Sequence, residues 1–282
     1  MITPEGTVFC DGFYDKLVIG KKCWNWRDGG HGWVDMRRAL KVSCDIYFYE
    51  MGYRLGNDRL TEYAIAYGFG QQTGVDLAGE ASGTIPTREW LEKERARRKD
   101  PKYKLPGGEV LNVVIGQGVV TATPVQLATY TSAVANGGTL YRPHLVKRIV
   151  SPEGEVVKEF APEVRGTVAV TPENLKVVRE GMLEVTRPGG TSAWTFYDFP
   201  IPVAAKTGTA QRTGQEYDNG LYVAYAPYDN PEIAIAIVVE QGGSGSLASP
   251  IAKAVFAEYF GILLRDGDPA KIIDPNAPPG FN

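Results

Sequence analysis

The stretch Val203-Ala204-Ala205-Lys206-Thr207-Gly208-Thr209-Ala210-Gln211 constrains this chain more than any other: an apolar entry, then a lysine, a hydroxyl, a glycine and a second hydroxyl. On a strand, side chains alternate between faces, so Lys206 and Gly208 share one face while Thr207 and Thr209 share the other. A glycine inside a strand marks a place where something must approach the backbone closely. A cation, bare backbone and hydroxyls together suit an anionic ligand laid along a sheet edge. A Lys-Thr-Gly triplet arises by chance in about one chain in twenty of this size, so the surrounding pattern must carry the reading. After a loop over 212–219 come two β-rich runs, Leu221–Ala226 and Glu232–Val239, separated by a Pro-Tyr-Asp-Asn-Pro turn. They read as adjacent antiparallel strands, giving a three-stranded meander. A closing helix is expected from about Pro250, with Ser249 as N-cap and Ile251, Val255, Phe256, Tyr259 and Phe260 on its inward stripe.

At 282 residues and 43% hydrophobic, the chain can bury one large core or two smaller ones. A net charge of −3 gives no footprint for nucleic acid, and no nucleic-acid partner is expected. The longest apolar run, Ile233–Val239, is far too short to span a bilayer, and Met1-Ile2-Thr3-Pro4 starts no signal peptide. The chain therefore reads as a soluble globular piece, with a Pro/Gly-rich tail over 265–282 expected to be poorly ordered.

Residues 1–34 read as loop, because Gly12, Gly20, Gly29, Gly30 and Gly32 interrupt every possible element. All three cysteines, Cys10, Cys23 and Cys44, and one of the two histidines, His31, fall within the first 44 residues. Four such ligands on a loop without its own core suit a tetrahedral Cys₃His zinc site. The spacing is not that of a zinc knuckle, so a Cys10–Cys23 disulfide and plain buried thiols remain alternatives. Residues 35–136 read as a mainly helical subdomain. Asp35 caps a first helix with Met36, Ala39 and Leu40 inward, and a second runs from Asp45 to Leu55. Between them sits Ser43-Cys44-Asp45, whose plainest reading is a linker hydroxyl and an N-cap. Thr87 opens a further helix, the charged run Glu92–Lys104 reads as a solvated face, and Val110–Val120 is broken by Gly116-Gln117-Gly118. Thr123-Pro124 starts a helix with Leu127, Tyr130, Thr131 and Val134 inward. From 139 to 264 the expectation is hairpin strands turning at Ser151–Gly154, with His144 structural, a helix from Thr171-Pro172, then the meander and the closing helix.

A serine-x-aspartate step between helices, followed much later by Lys-Thr-Gly-Thr on a strand, resembles the order found in the penicillin-recognising acyl-serine enzymes. Gly30-His31-Gly32-Trp33-Val34-Asp35, Ser43-Cys44-Asp45-Ile46-Tyr47-Phe48-Tyr49, Pro86-Thr87-Arg88-Glu89-Trp90, Ile115-Gly116-Gln117-Gly118 and Ala205–Gln211 look like the elongation-type class B penicillin-binding proteins, the penicillin-binding protein 2 group. The resemblance runs from Ile2 to about Leu264. It implies an α+β penicillin-binding transpeptidase, β-lactamase-like fold: an antiparallel sheet with flanking helices and a helical subdomain, here a partial transpeptidase domain over 1–264. The meander is expected to keep one exposed edge.

The resemblance also implies a chemistry. In that family a serine of a Ser-x-x-Lys motif attacks the D-Ala-D-Ala carbonyl of a peptidoglycan stem peptide, and an amine from a neighbouring strand resolves the acyl-enzyme into a 4,3 cross-link. Carried over by motif, Ser43 would relay a proton, Asp45 would hold the substrate amide, and Lys206 would orient Ser43. Thr207, Gly208 and Thr209 would line the substrate carboxylate, with the Thr209 N–H as half of an oxyanion hole. β-Lactams and membrane-embedded cell-elongation proteins are the further partners implied. The parent protein would be anchored in the bacterial inner membrane with this domain in the periplasm. No cofactor is implied for catalysis, but some relatives carry metal ligands before the serine-x-aspartate step, which bears on Cys10, Cys23, His31 and Cys44 as a structural zinc site.

None of the eight serines is followed three places later by lysine. The expectation is a truncated chain whose Ser-x-x-Lys, anchor and pedestal lie upstream, inactive in acyl transfer as it stands. Rival readings are a non-catalytic stem-peptide or β-lactam binding module, a cell-elongation scaffold, and a β-lactamase, for which no deacylating carboxylate stands in a recognisable loop.

Overall fold

The computed structural model describes residues 3–17, 20–212, 214–265 and 267–270. The first segment is not pure loop. Strand β1 (Val8–Cys10) pairs with β4 (Gly32–Val34), and β2 (Phe13–Tyr14) pairs with β3 (Lys21–Lys22). These strands are two or three residues long, too short for any periodicity to announce them. Helices α1 (Met36–Val42), α2 (Asp45–Leu55), α3 (Asn57–Ala66), α4 (Arg88–Arg98), α5 (Gly107–Val114) and α6 (Pro124–Ala135) follow. Each of α1, α4 and α6 begins where a side-chain oxygen caps it: Asp35, Thr87 and Thr123 accept from the amides of Arg38, Trp90 and Gln126.

Strand β5 (Thr139–Tyr141) pairs with β8 (Val164–Thr167), enclosing the hairpin of β6 (Arg148–Val150) and β7 (Val156–Glu159). Helices α7 (Pro172–Glu184) and α8 (Ala193–Phe196) then lead into the meander of β9 (Ala204–Ala210), β10 (Asn219–Ala226) and β11 (Ile233–Val239), in the order β11-β10-β9. A 3₁₀ turn (Gly245–Ala248) precedes α9 (Ser249–Phe260).

The central strand β10 is buried on both faces. Tyr222, Ala224 and Ala226 pack with Phe196, Ala205, Ala248, Ala252 and Phe256, while Tyr225 points the other way into Val134, Leu175, Met182 and Ala204. A third core joins α2 and Leu111 of α5 to the amino-terminal segment through Cys10, Cys23, Val34, Cys44, Ile46 and Tyr47. Among the described residues, neither β9 nor β11 has a partner on its outer edge.

Helix α9 buries only part of its expected stripe: Phe256 lies in the core and Phe260 packs against it. Ile251, Val255 and Tyr259 are exposed, while Ala252, Lys253, Phe256 and Ala257 are buried. Alanines let the helix approach the sheet closely beside Phe256, and Ile251, Val255 and Tyr259 are left outside. Its N-cap is Ala248, and Ser249 is the first helical residue, its hydroxyl donating to Ser246 O. The tail also departs from expectation: Asp268 and Ala270 are buried, and Asp268 meets Lys253. Residues 271–282 lie outside the described residues.

Gln126 ties the helical subdomain together. It closes a capping box with Thr123, and its buried Nε2 donates to Gln71 O (2.7 Å) and Ser82 O (2.8 Å) in the Gly-rich segment. Truncation in Gln126→Ala leaves those carbonyls without a donor, which is expected to cost about 3 kcal/mol. Urea denaturation checks this, and a loss below about 1 kcal/mol would mean that water replaces the amide freely.

Candidate active site and metal centre

Helix α1 lies against α7, fixed by the ion pairs Arg37–Glu180 (2.6 Å) and Lys41–Glu184 (2.8 Å). Its last turn ends at Ser43, a non-glycine residue held in the left-handed region at φ 53°, ψ 53°. That conformation costs energy for a residue with a Cβ and persists only where surroundings enforce it. Here they do. Trp24 Nε1 donates to both Val42 O (2.9 Å) and Ser43 O (3.0 Å), and the Cys44 amide donates to Ala39 O. The hydroxyl of Ser43 then faces β9, where Lys206 Nζ donates to it at 2.8 Å across 163 positions of sequence.

Asp45 is the first residue of α2 and does not cap it. The N-cap position is Cys44, without a side-chain bond, and the Asp45 carboxylate accepts from the Trp24 amide at 3.0 Å. The amino-terminal segment claims the carboxylate that local sequence would give to the helix. Burial, then the neighbouring Cys23, raises the Asp45 pKa to about 7. Burial lowers Lys206 to about 8, with Asp45 as a smaller opposing influence. Both groups thus titrate near neutrality, the poise that proton handling requires.

On β9, Lys206 Nζ also donates to Thr207 O at 2.7 Å, and Thr207 Oγ1 shares a hydrogen bond with Thr191 Oγ1 at 2.9 Å. Thr209 is exposed, its hydroxyl accepting from Gly245 N (3.2 Å) and its carbonyl from Gln117 Nε2 (2.9 Å). A Cβ at Gly245 would run into the backbone of Gly208, so glycine at 245 lets the 3₁₀ turn close on the strand. Ser43, Asp45, Lys206, Thr207, Gly208 and Thr209 therefore belong to one wall. Sequence reasoning missed Trp24, Thr191 and Gly245; only Trp24, directly after Cys23, carried any signal.

Cys10, Cys23, His31 and Cys44 converge as a second group. Their donor atoms all lie within 4.8 Å of one another, with His31 Nδ1 at 3.7 Å from Cys10 Sγ and 3.4 Å from Cys23 Sγ. Zinc bonds of about 2.3 Å to sulfur and about 2.0–2.1 Å to nitrogen put the edges of such a tetrahedron near 3.6–3.8 Å. The three thiols are buried and free, so no Cys10–Cys23 disulfide forms. The Cys44 S–H donates to Cys23 and lowers its pKa to about 3, while Cys44 itself is raised. A thiolate is the form a metal takes, so the donor set fits zinc in both number and chemistry. Cys44 stands between Ser43 and Asp45, and Trp24 follows Cys23, so the two groups share backbone.

A serine at a strained helix junction, hydrogen-bonded by the lysine of a Lys-Thr-Gly strand, marks an acyl-serine class of protein. The chain belongs to the penicillin binding protein transpeptidase domain family, which it matches over residues 1–257. It is 35% identical over 280 residues to the peptidoglycan D,D-transpeptidase MrdA of Haemophilus influenzae, covering 92% of this chain and 41% of that protein. Among solved structures it is similar to Pseudomonas aeruginosa penicillin-binding protein 2 in complex with WCK 5153, with a TM-score of 0.76, 36% identity, and coverage of 95% of this chain and 57% of that one. The complex of penicillin-binding protein 2 and MreC from Helicobacter pylori gives a TM-score of 0.76 at 28% identity, covering 93% of this chain and 47% of that one. The fold is the penicillin-binding transpeptidase fold of the elongation-type class B group. The chain spans about two fifths of the length of the curated relatives it matches. No described helix is long and apolar enough to cross a membrane.

Proposed function

We propose that this chain forms the substrate wall of a peptidoglycan D,D-transpeptidase that makes 4,3 cross-links during cell elongation. The observation that carries the proposal is the 2.8 Å hydrogen bond from Lys206 to Ser43, which joins the serine-x-aspartate step to the Lys-Thr-Gly strand. The Lys206 ammonium and the Thr207 and Thr209 hydroxyls hold the terminal carboxylate of a D-Ala-D-Ala stem peptide, or the carboxylate of a β-lactam. The Thr209 N–H receives charge developing on the attacked carbonyl oxygen. Ser43 Oγ, hydrogen-bonded to Lys206, passes a proton towards the leaving amine, and Asp45 keeps the Ser43 turn in place through Trp24. The attacking serine of this chemistry belongs to a Ser-x-x-Lys motif, which none of the eight serines here has. These residues bind and orient rather than attack.

Cys10, Cys23, His31 and Cys44 would hold a structural zinc ion, which when bound fixes the loop carrying Trp24 to the Ser43 turn. An inner-membrane anchor, a periplasmic location and contacts with membrane-embedded elongation proteins complete the proposal for the longer protein. The likeness to a relative solved with MreC supports that last part.

The test is non-covalent binding of N-acetyl-D-Ala-D-Ala and of a penicillin by ligand-observed NMR. Lys206→Ala is expected to weaken both at least about tenfold, the worth of one charge-assisted hydrogen bond. Since the ammonium is the form below the Lys206 pKa of about 8, affinity falls as pH rises through that value, with the midpoint moved upward by bound anion. Unchanged affinity in Lys206→Ala would defeat the reading. The missing Ser-x-x-Lys favours one alternative, a binding module. Covalent labelling by a fluorescent penicillin on a denaturing gel separates the two, because the transpeptidase reading requires that a form carrying Ser-x-x-Lys becomes labelled.

A further inference from the structure

The proposed substrate wall leaves unused the Ile115-Gly116-Gln117-Gly118 turn that ends α5. It is held from beneath. The Gln117 amide donates to Asn112 O (2.8 Å), Glu109 Oε1 accepts from Val119 N (2.9 Å), and Glu109 Oε2 accepts from Asn112 Nδ2 (2.9 Å). Lys21 adds a 2.7 Å bond to Asn112 Oδ1. Gly116 and Gly118 take φ of 75° and 70°, and a Cβ at Gly118 would collide with Glu109. From this fixed base the Gln117 side chain crosses to β9 and donates to Thr209 O at 2.9 Å.

What that bond occupies follows from ladder geometry. Along an antiparallel strand, residues alternate between directing both backbone groups at the partner strand and directing both away. The carbonyls of Thr207 and Thr209 are taken by Lys206 Nζ and Gln117 Nε2 respectively, both from outside the sheet. These two residues therefore belong to the outward set, and the Thr209 N–H points outward as well. β9 has no strand on that side among the described residues. An extended ligand added there pairs with Thr209 through two bonds: its carbonyl accepts the Thr209 N–H, and the N–H of the same residue donates to Thr209 O. The Gln117 amide already fills the second of these positions.

We infer that Gln117 caps the free edge of β9 and yields Thr209 O to the amide N–H of an incoming peptide, so that it sets how tightly that edge takes an extended ligand. The inference rests on the substrate-wall reading above and deepens it. A ligand whose penultimate residue presents an N–H replaces the bond it displaces. A ligand with an oxygen at that position removes the cap and leaves the carbonyl facing another lone pair. Thr209 O discriminates amides from esters with or without the cap; the cap lowers the affinity of both, and it satisfies an edge acceptor that would otherwise stand open to pairing with another chain.

The test uses the full chain and two probes, N-acetyl-D-Ala-D-Ala and its analogue with D-lactate in the penultimate position. Gln117→Ala is expected to tighten the amide probe roughly two- to tenfold, because one modest hydrogen bond no longer has to be broken. In the unmodified protein, the Gln117 side-chain amide resonance, assigned by its loss in Gln117→Ala, should move to a solvent-like position in step with occupancy. The lactate probe should bind the unmodified protein more weakly than the amide probe. If Gln117→Ala weakens the amide probe, or the Gln117 resonance stays in place at saturation, Gln117 is a fixed support for β9 and the inference fails while the substrate wall stands. If the unmodified protein binds neither probe, or binding ignores Lys206→Ala, the substrate-wall reading falls and takes the inference with it.

Discussion

Chelating the zinc proposed at Cys10, Cys23, His31 and Cys44 is expected to lower the melting temperature by about 8–16 °C. Saturation at a thousand times Kd is worth about 4 kcal/mol, and each kcal/mol moves a chain of this size by roughly 2–4 °C. The effect is large because the amino-terminal segment has little else to order it: strands of two or three residues, a 3₁₀ turn, and a core that contains the three cysteines themselves. Loss of metal then reaches the substrate wall through two short routes. Cys44 sits inside the Ser43 turn, and Trp24, next to Cys23, holds both the Asp45 carboxylate and the Ser43 carbonyl. Cys44→Ser should reproduce most of the loss, after which a chelator should do nothing further. Thermal melts with and without chelator, alongside elemental analysis of the purified protein, decide the matter. Absence of zinc together with identical melts would end the proposal.

How far the sequence carried the reading depends on the range of the interactions. The β9–β11 meander was legible because its runs are long, β-rich and bounded by turn residues, and the Lys206 strand stood out against it. The starts of α4, α6 and α7 were legible because Thr87, Thr123 and Thr171 cap amides only three residues ahead. The convergence of three cysteines and a histidine was legible as a composition, though its geometry was not. Illegible features depend on distant partners. Asp45 reads as a helix cap until Trp24 claims it, and Gln117 reads as a turn residue until Thr209 lies opposite. On α9, the large apolar residues Ile251, Val255 and Tyr259 outweighed the alanines in the pattern, yet alanine is what close packing against β10 requires. Lys253 could not be read as buried at all, because one of its counter-charges, Asp268, lies in a segment whose composition argues for disorder.

That lysine provides the other large expected effect. Lys253 is buried, its Nζ 2.7 Å from Asp198 Oδ1 and 2.5 Å from Asp268 Oδ2, while Arg265 reaches Asp198 at 3.2 Å and the Ala270 amide donates to Asp268 Oδ1 at 2.8 Å. The network fastens residues 267–270 onto α9 and the end of α8. Removing one member of a buried charge group strands the others, so Lys253→Ala is expected to cost about 3–5 kcal/mol. Asp268→Ala should cost clearly less, because Asp198 still pairs with the lysine. The network also fixes a pH dependence. Burial alone would raise the Asp268 carboxyl, but the Lys253 ammonium and the Ala270 amide overcome it and hold its pKa below the ordinary value. A carboxyl whose folded pKa is depressed contributes stability above its unfolded pKa and loses it as pH falls through the folded value. Urea midpoints measured from pH 7 downward should therefore drop more steeply below the ordinary carboxylate range in the unmodified protein than in Asp268→Ala. Parallel curves for the two proteins, or equal costs for the two substitutions at pH 7, would mean that the pair carries no net charge stabilisation. The tail would then be held by packing alone.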